Sequence, residues 1–238
     1  MTKVIIVNGS PRMEESNTTF TLNPIIEGMK KSGAEVEMLY TKKHKILPCI
    51  GCFKCWSETI GECFIKDDMP DIYPKLKAAD ILVIATPVYI PLPGKLQNFL
   101  NRLAPLLEPI LEFRNGRTRA KFHDDVKTSK ILAVVVGGWW EIENLHIVTK
   151  IVEELTENVS SDFVGAILRP HSYFLRNETE KSKEILSTLE KIGHQLVIEG
   201  NIAVKDLEFV SQPLIGEEEY RENLNKNYLK HKNEQKKF

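Results

Sequence analysis

Lys3-Val4-Ile5-Ile6-Val7-Asn8 runs straight into Gly9-Ser10-Pro11-Arg12. A short apolar run without polar alternation is a strand covered on both faces, which places it in a parallel sheet under helices. The polar loop that follows leads into a helix over residues 20–31, with Phe20, Leu22, Ile25, Ile26 and Met29 at helical spacing. Pro24 falls inside that span, so a regular start near Asn23 is expected, with a kink as the alternative. Strand, hydroxyl-rich loop and helix N-terminus together make an anion site, because backbone N–H groups and the helix dipole face the ligand. Ser10, Ser16, Asn17 and Thr18 add side-chain donors and Arg12 adds charge. The loop fits neither G-x-x-x-x-G-K-[ST] nor G-x-G-x-x-G, so a single phosphate is expected rather than a pyrophosphate or triphosphate. The alternative is an ordinary capped turn.

The same grammar repeats outward. Strands are expected at 34–40, 80–85, Lys130–Val136 and 163–168, and helices after Asp68 and at 95–107, 143–158 and 178–199. Glu35 and Glu37 suit a sheet edge. Asp68 is read as the helix N-cap, with Pro70 in the first turn. Five strands alternating with helices predict a doubly wound, three-layer α/β fold with a parallel sheet in the order 2-1-3-4-5. In that order the first, third and fourth strands are neighbours and the switch point lies between the first and third.

Three loops then meet at one edge. One is the phosphate loop. The second, Thr86-Pro87-Val88-Tyr89 followed by Pro91 and Pro93, is stiffened by prolines and carries an aromatic ring. The third, Gly137-Gly138-Trp139-Trp140, allows close backbone approach and offers stacking surface. Flavin mononucleotide, with one terminal phosphate and one flat ring, fits this set. Residues 112–129 read as a long polar excursion. Its Arg117 and Arg119 are solvated charges, with a nucleotide phosphate or an acidic partner as the alternative. His123, His146, His171 and His194 form no constellation and are read as surface or packing residues, and no catalytic acid or base is assigned.

All four cysteines fall in Cys49-Ile-Gly-Cys52-Phe-Lys-Cys55-Trp-Ser-Glu-Thr-Ile-Gly-Glu-Cys63. Thiolates are soft ligands, and the compact C-x2-C-x2-C run favours an iron–sulfur cluster over zinc, whose sites more often use two separated pairs. Disulfides or buried thiols that only pack are the alternative readings.

Hydrophobic residues are 42% and charged residues 27% of the 238, enough apolar material for a sizeable core. The net charge of −1 gives no field that would gather nucleic acid, and no apolar run nears the roughly 20 residues that span a bilayer. With a strand starting at Lys3, no targeting segment is expected and the cytoplasm is the expected location. Residues 1–200 are expected to form one domain, with the cysteine loop at 48–64 inserted after the second strand. Residues 201–238 are expected to be an extension packing on that domain or on a neighbouring subunit. A helix is expected at 217–232, with 232–238 frayed.

The opening through Gly9-Ser10-Pro11-Arg12 and Ser16-Asn17-Thr18, with Thr86-Pro87-Val88-Tyr89, resembles the NADPH-dependent FMN reductase group of flavodoxin-like proteins. The cysteine run followed by Asp67-Asp68-Met69 is similar to the iron–sulfur flavoprotein branch. The resemblance covers about residues 1–200. It implies FMN phosphate or ribityl contacts from Ser10, Arg12, Ser16, Asn17 and Thr18, and ring contacts from Thr86, Pro87, Val88 and Tyr89. Gly137, Gly138 and Trp139 complete the expected flavin site. Trp139 and Trp140 stand where smaller residues are expected and would narrow access to the ring or stack on a substrate. The resemblance also implies a [4Fe-4S] cluster on Cys49, Cys52, Cys55 and Cys63, a homodimer or homotetramer, and electron relay among a low-potential donor such as a ferredoxin, the cluster and FMN. Two alternatives stand beside it. One is an NAD(P)H-dependent FMN or quinone reductase with structural or zinc-binding cysteines; the other is a non-enzymatic redox sensor.

Overall fold

The computed structural model describes residues 1–235. The central sheet holds β1 (Lys3–Asn8), β2 (Glu35–Tyr40) and β3 (Ile81–Pro87). After a two-stranded hairpin, β4 (Glu112–Arg114) and β5 (Arg117–Arg119), it is completed by β6 (Lys130–Val136) and β7 (Asp162–Arg169). All its pairings are parallel, in the order β2-β1-β3-β6-β7. This is the expected flavodoxin-like order, since β6 and β7 are the fourth and fifth strands of the sheet.

The strands are apolar on both faces because both are covered. Ile5, Val7, Leu82, Ile84, Ile131, Ala133 and Val135 pack against α3 (Met69–Ala78), α4 (Gly94–Asn101) and α5 (Glu143–Val159). Val4, Ile6, Ile81, Val83, Leu132 and Val134 face α1 (Asn17–Lys31), α6 (Glu180–Ile198) and α7 (Val204–Ser211). The alternation along each strand is the pleat period of two, hidden in the sequence because neither face is polar.

On the second face α1 and α6 touch backbone to backbone. A Cβ at Gly28 would lie 1.9 Å from the Glu190 carbonyl oxygen, and one at Gly193 would lie 2.1 Å from that of Ile25. Glycine at both positions lets the two helices cross this closely.

Several boundaries differ from expectation. The first helix begins at Asn17, not Asn23, because the Ser16 hydroxyl accepts the Thr19 N–H at 3.0 Å and caps it. Pro24 sits inside that helix, where the buried Leu22, Ile25 and Met29 hold it against the sheet. The helix expected to reach residue 107 stops at Asn101; Pro105, which lacks an N–H, instead opens a short 3-10 turn at Ala104–Leu106. Asp68 precedes α3 but makes no side-chain cap, because Asp67 accepts the Met69 N–H instead. The excursion at 112–129 contains the β4–β5 hairpin, turned by Asn115 and Gly116 at φ 50° and 75°. Its arginines bind α5: Arg114 donates to the Glu157 carbonyl, and Arg117 pairs with Glu154 at 2.8 Å. Arg119 lies 3.9 Å from the same Glu154, so neither arginine is a free phosphate ligand.

Beyond α6, α7 packs on β7, and α8 (Glu217–Gln235) follows, anchored by the buried Tyr220. The fraying expected from Lys232 is not seen through Gln235, which remains helical; residues 236–238 lie outside the described residues. Among the described residues no helix is long and apolar enough to cross a membrane.

Candidate functional site

Parallel register brings the three loops side by side. Asn8 of β1 pairs with Ala85 of β3, and Pro87 of β3 pairs with Val136 of β6. The Gly9 N–H donates to the Ala85 carbonyl at 2.8 Å, and the Val88 N–H to that of Val136 at 2.9 Å. Gly9 is required here, since a Cβ would lie 2.7 Å from Leu96 Cδ2.

In the first loop, Asn8 is buried; its amide donates to the Thr19 hydroxyl, and its carbonyl oxygen accepts the Ser10 N–H. Ser16 serves as the α1 cap, and Ser10 is buried. The Thr18 hydroxyl is buried with no hydrogen-bond partner among the described residues. It stands in the first turn of α1, where helical N–H groups lack intrahelical acceptors. An orphaned donor at a helix N-terminus is what a phosphate oxygen satisfies. Arg12, in the same loop, is exposed.

The second and third loops share a hollow of about 560 Å³ lined by Val88, Tyr89, Pro91, Gly138, Trp139 and Ile147 among others. Tyr89 and Trp139 are half exposed or more, at 51% and 65%. Gly138 has nothing within 4 Å of where its Cβ would stand, which leaves open space over its Cα for a flat ring. Ser10, Arg12, Ser16, Asn17, Thr18 and Thr86 do not line this hollow; Thr86 is fully buried at the end of β3. Trp140 is turned away, its indole donating to the Ile215 carbonyl at 3.0 Å. Of the pair, only Trp139 lines this hollow; Trp140 borders a separate one with Leu207 and Pro213.

The four cysteines line a single small hollow with Arg102, Phe64 and Pro105. Cys49 and Cys52 are exposed; Cys55 and Cys63 are half-buried. Burial pushes the Cys55 thiol up, and the neighbouring Cys63, Cys49 and Cys52 add to it. The Gly51 N–H points at Cys49 Sγ at 3.5 Å. Four thiols around one hollow, with backbone donors, suit a metal–sulfur centre in donor chemistry. Their spacing is not that of a closed ligand set: among the described residues no three His, Cys, Asp or Glu stand together as a coordinating group. The hollow, about 20 Å³, has room for about one water.

The base of this loop is built firmly. Arg102 and Asp67 form a bidentate pair, 2.7 and 3.1 Å, with side chains 1% and 0% exposed. Asp67 also accepts the Leu47 and Met69 N–H groups, and Arg102 donates to the Leu47 carbonyl. Burial works to raise the Asp67 carboxyl, but Arg102 and these amides outweigh it and hold it below its ordinary value. The Tyr73 hydroxyl, pushed up by burial, donates to the Arg102 carbonyl.

Three arginines, Arg102, Arg169 and Arg176, escaped the sequence reading. Arg102 was hidden in an amphipathic helix pattern. Arg176 clamps the first loop, donating to Asn17 Oδ1 and to the Glu15 and Ser16 carbonyls while its guanidinium lies over the Phe20 ring. His171, expected to be a surface or packing residue, is fully buried and accepts the Leu214 N–H on Nε2 at 2.9 Å. With it, Arg169 donates to the Val210 and Gln212 carbonyls, and Tyr220 donates to that of Gly138. The C-terminal segment is thereby strapped to the third loop. No local pattern announces such contacts, because each partner carbonyl lies far off in sequence.

The sequence pattern of the NADPH-dependent FMN reductase family matches residues 2–159, from β1 to the end of α5. The chain belongs to this family. It is 38% identical over 101 residues to an iron-sulfur flavoprotein of Archaeoglobus fulgidus, a match covering 42% of this chain and 48% of that one. It is 34% identical over 137 residues to an iron-sulfur flavoprotein of Methanocaldococcus jannaschii, covering 57% and 62%. The chain thus spans about half the length of the relatives it matches. The relatives it matches at 31–38% identity are iron-sulfur flavoproteins by name. Among solved structures, it is similar to an NAD(P)H:quinone oxidoreductase from Methanothermobacter marburgensis. That match has a TM-score of 0.53 and 15% identity, covering 82% of this chain and 96% of that one. It is similar also to an FMN-dependent NADH-azoreductase from Bacillus anthracis, solved with FMN. Here the TM-score is 0.56 and the identity 13%, covering 83% and 100%. At such identities the likeness concerns the fold.

Proposed function

We propose that this chain is an FMN-dependent oxidoreductase that holds a [4Fe-4S] cluster on Cys49, Cys52, Cys55 and Cys63 and works in electron transfer. One juxtaposition carries the reading: β1, whose loop leads to the orphaned Thr18 hydroxyl in the first turn of α1, pairs with β3, whose loop borders the hollow shared with the β6 loop. Phosphate and ring of one nucleotide need such a pair of sites. Thr18 and the first-turn amides of α1 bind the phosphate, with Ser10, Ser16 and Asn17 shaping the loop and Arg12 adding charge. Thr86 and Pro87 hold the β3 loop; Val88 and Tyr89, with Gly137, Gly138 and Trp139, take the ring and shield it from water. When bound, the cluster supplies one-electron transfer and the flavin one- or two-electron transfer.

Residues 1–200 form the FMN-binding unit in this proposal, with the cysteine loop at 48–64 as its insertion and residues 201–238 as an extension. The protein works as a homodimer or homotetramer in the cytoplasm, a compartment that keeps four free thiols reduced. Its partners are a small electron-transfer protein such as a ferredoxin, or NAD(P)H.

A second reading, an NAD(P)H-dependent FMN or quinone reductase without the cluster, is favoured by the open spacing of the four sulfurs. An absorption spectrum of protein purified without oxygen, with iron and sulfide assays, separates the two. Flavin bands with about four irons per chain support the first. Flavin bands without iron leave the second, and absence of flavin overturns both.

A further inference from the structure

The two terminal nitrogens of Arg102 are engaged by Asp67 and the Leu47 carbonyl, whereas its Nε is buried with no partner among the described residues. The same residue lines the hollow shared by the four cysteines. A buried N–H without an acceptor is costly, and groups of this kind are rare in folded proteins unless something satisfies them. Thiolate sulfur is the acceptor chemistry gathered at this hollow. The pair with Asp67 fixes the guanidinium from behind, through a carboxylate that also holds both ends of the loop at Leu47 and Met69.

We infer that Arg102 is a positioning residue for the four-cysteine site: it holds the loop's base through Asp67 and Leu47 and gives its Nε–H and its charge to the thiolate sulfurs of a bound metal centre. Asp67 neutralises part of that charge and orients the fork. Outer groups that donate to metal ligands fix ligand geometry and tune both affinity and potential. The inference rests on the four-thiolate reading above.

The test uses the full chain, metal-free, titrated anaerobically with Co²⁺, whose thiolate charge-transfer and d–d bands report on the sulfur ligands. Arg102→Gln is expected to weaken Co²⁺ binding by about 10- to 100-fold, the usual effect of losing such a partner, and Arg102→Lys by less. In protein reconstituted with iron and sulfide, Arg102→Gln should shift the midpoint potential to more negative values, because a fixed positive charge favours the reduced centre. Arg102→Lys, which keeps the charge, should leave the potential near that of the unaltered chain. A simple loss of packing would not divide the two variants in this way. Co²⁺ affinity and potential unchanged in Arg102→Gln overturn the role of Arg102 while leaving the four-thiolate site standing. Should that variant fail to fold, an Arg102→Lys potential shifted well to the negative overturns it equally. No thiolate–cobalt bands in the unaltered chain overturn the site itself, and the inference with it.

Discussion

Acid should loosen the strap between the C-terminal segment and the third loop, and His171 sets how much. Its ring is fully buried, stacked near Trp140, and its Nε2 already accepts the Leu214 N–H. A proton on Nε2 would oppose that donor. Burial first, then the nearby charges of Arg169 and Lys181, push its pKa down to about 4, from 6.5. The unfolded chain therefore takes up the proton at a higher pH than the folded one. The contribution is complete above the unfolded value and is lost as pH falls through the window from 6.5 to about 4. Between about pH 7.5 and about pH 5 the loss is worth about 2 kcal/mol, since 1 pKa unit is about 1.4 kcal/mol and about 1.5 units of the window are crossed. Other groups titrate as well, so the comparison is with His171→Gln, whose amide oxygen can still accept from Leu214. Urea unfolding at both pH values should show the unaltered chain losing about 2 kcal/mol more than the variant. Equal losses in the two proteins would refute the assignment of that window to His171.

Three further outcomes are expected. Gly28→Ala should lower stability by about 1–3 kcal/mol despite the better helix former, because α1 and α6 must part; thermal unfolding reads it, and a rise in midpoint contradicts the close crossing. Thr18→Val keeps the shape but removes the orphaned hydroxyl, so FMN should bind about tenfold more weakly by fluorescence titration, with helix content unchanged in circular dichroism. Asp67→Ala strands Arg102 as a buried charge and should cost about 3–5 kcal/mol in chemical denaturation, whereas breaking an exposed pair such as Lys31–Glu190 should have far less effect.

The sheet was legible because its strands are buried on both faces: Val4 to Val7 and Ile131 to Val136 can be little else than covered parallel strands. The strand–helix alternation made the sheet parallel; the order 2-1-3-4-5 was the one that sets the three loop-bearing strands side by side, and it is the order found. The hairpin was not foreseen, although Asn115-Gly116 is its usual signal, because three-residue strands of Glu, Phe, Arg and Thr carry no apolar alternation. The Ser16 cap lost to Pro24 in the reading, since local rules rank a proline as a boundary and tertiary burial decided otherwise. At the candidate site the loops could be read, and Tyr89 and Trp139 do share a hollow. The ion pair beneath the cysteines could not, because Asp67 and Arg102 lie 35 residues apart and nothing in either stretch points to the other.

The glycine crossing of α1 and α6 has a consequence for how the chain is made. The buried face of α1, with Leu22, Ile25 and Met29, is completed by a helix that ends at Ile198. At synthesis rates of roughly 5–20 residues per second, that face waits on the order of 10–30 s for its cover. Meanwhile the sheet can grow outward from β1, adding β3, β6 and β7 in the order they are made. The nascent chain thus keeps the side of α1 at Gly28 uncovered until nearly the whole sheet has emerged. Substitutions at Gly193 would then burden folding yield in the cell as well as final stability.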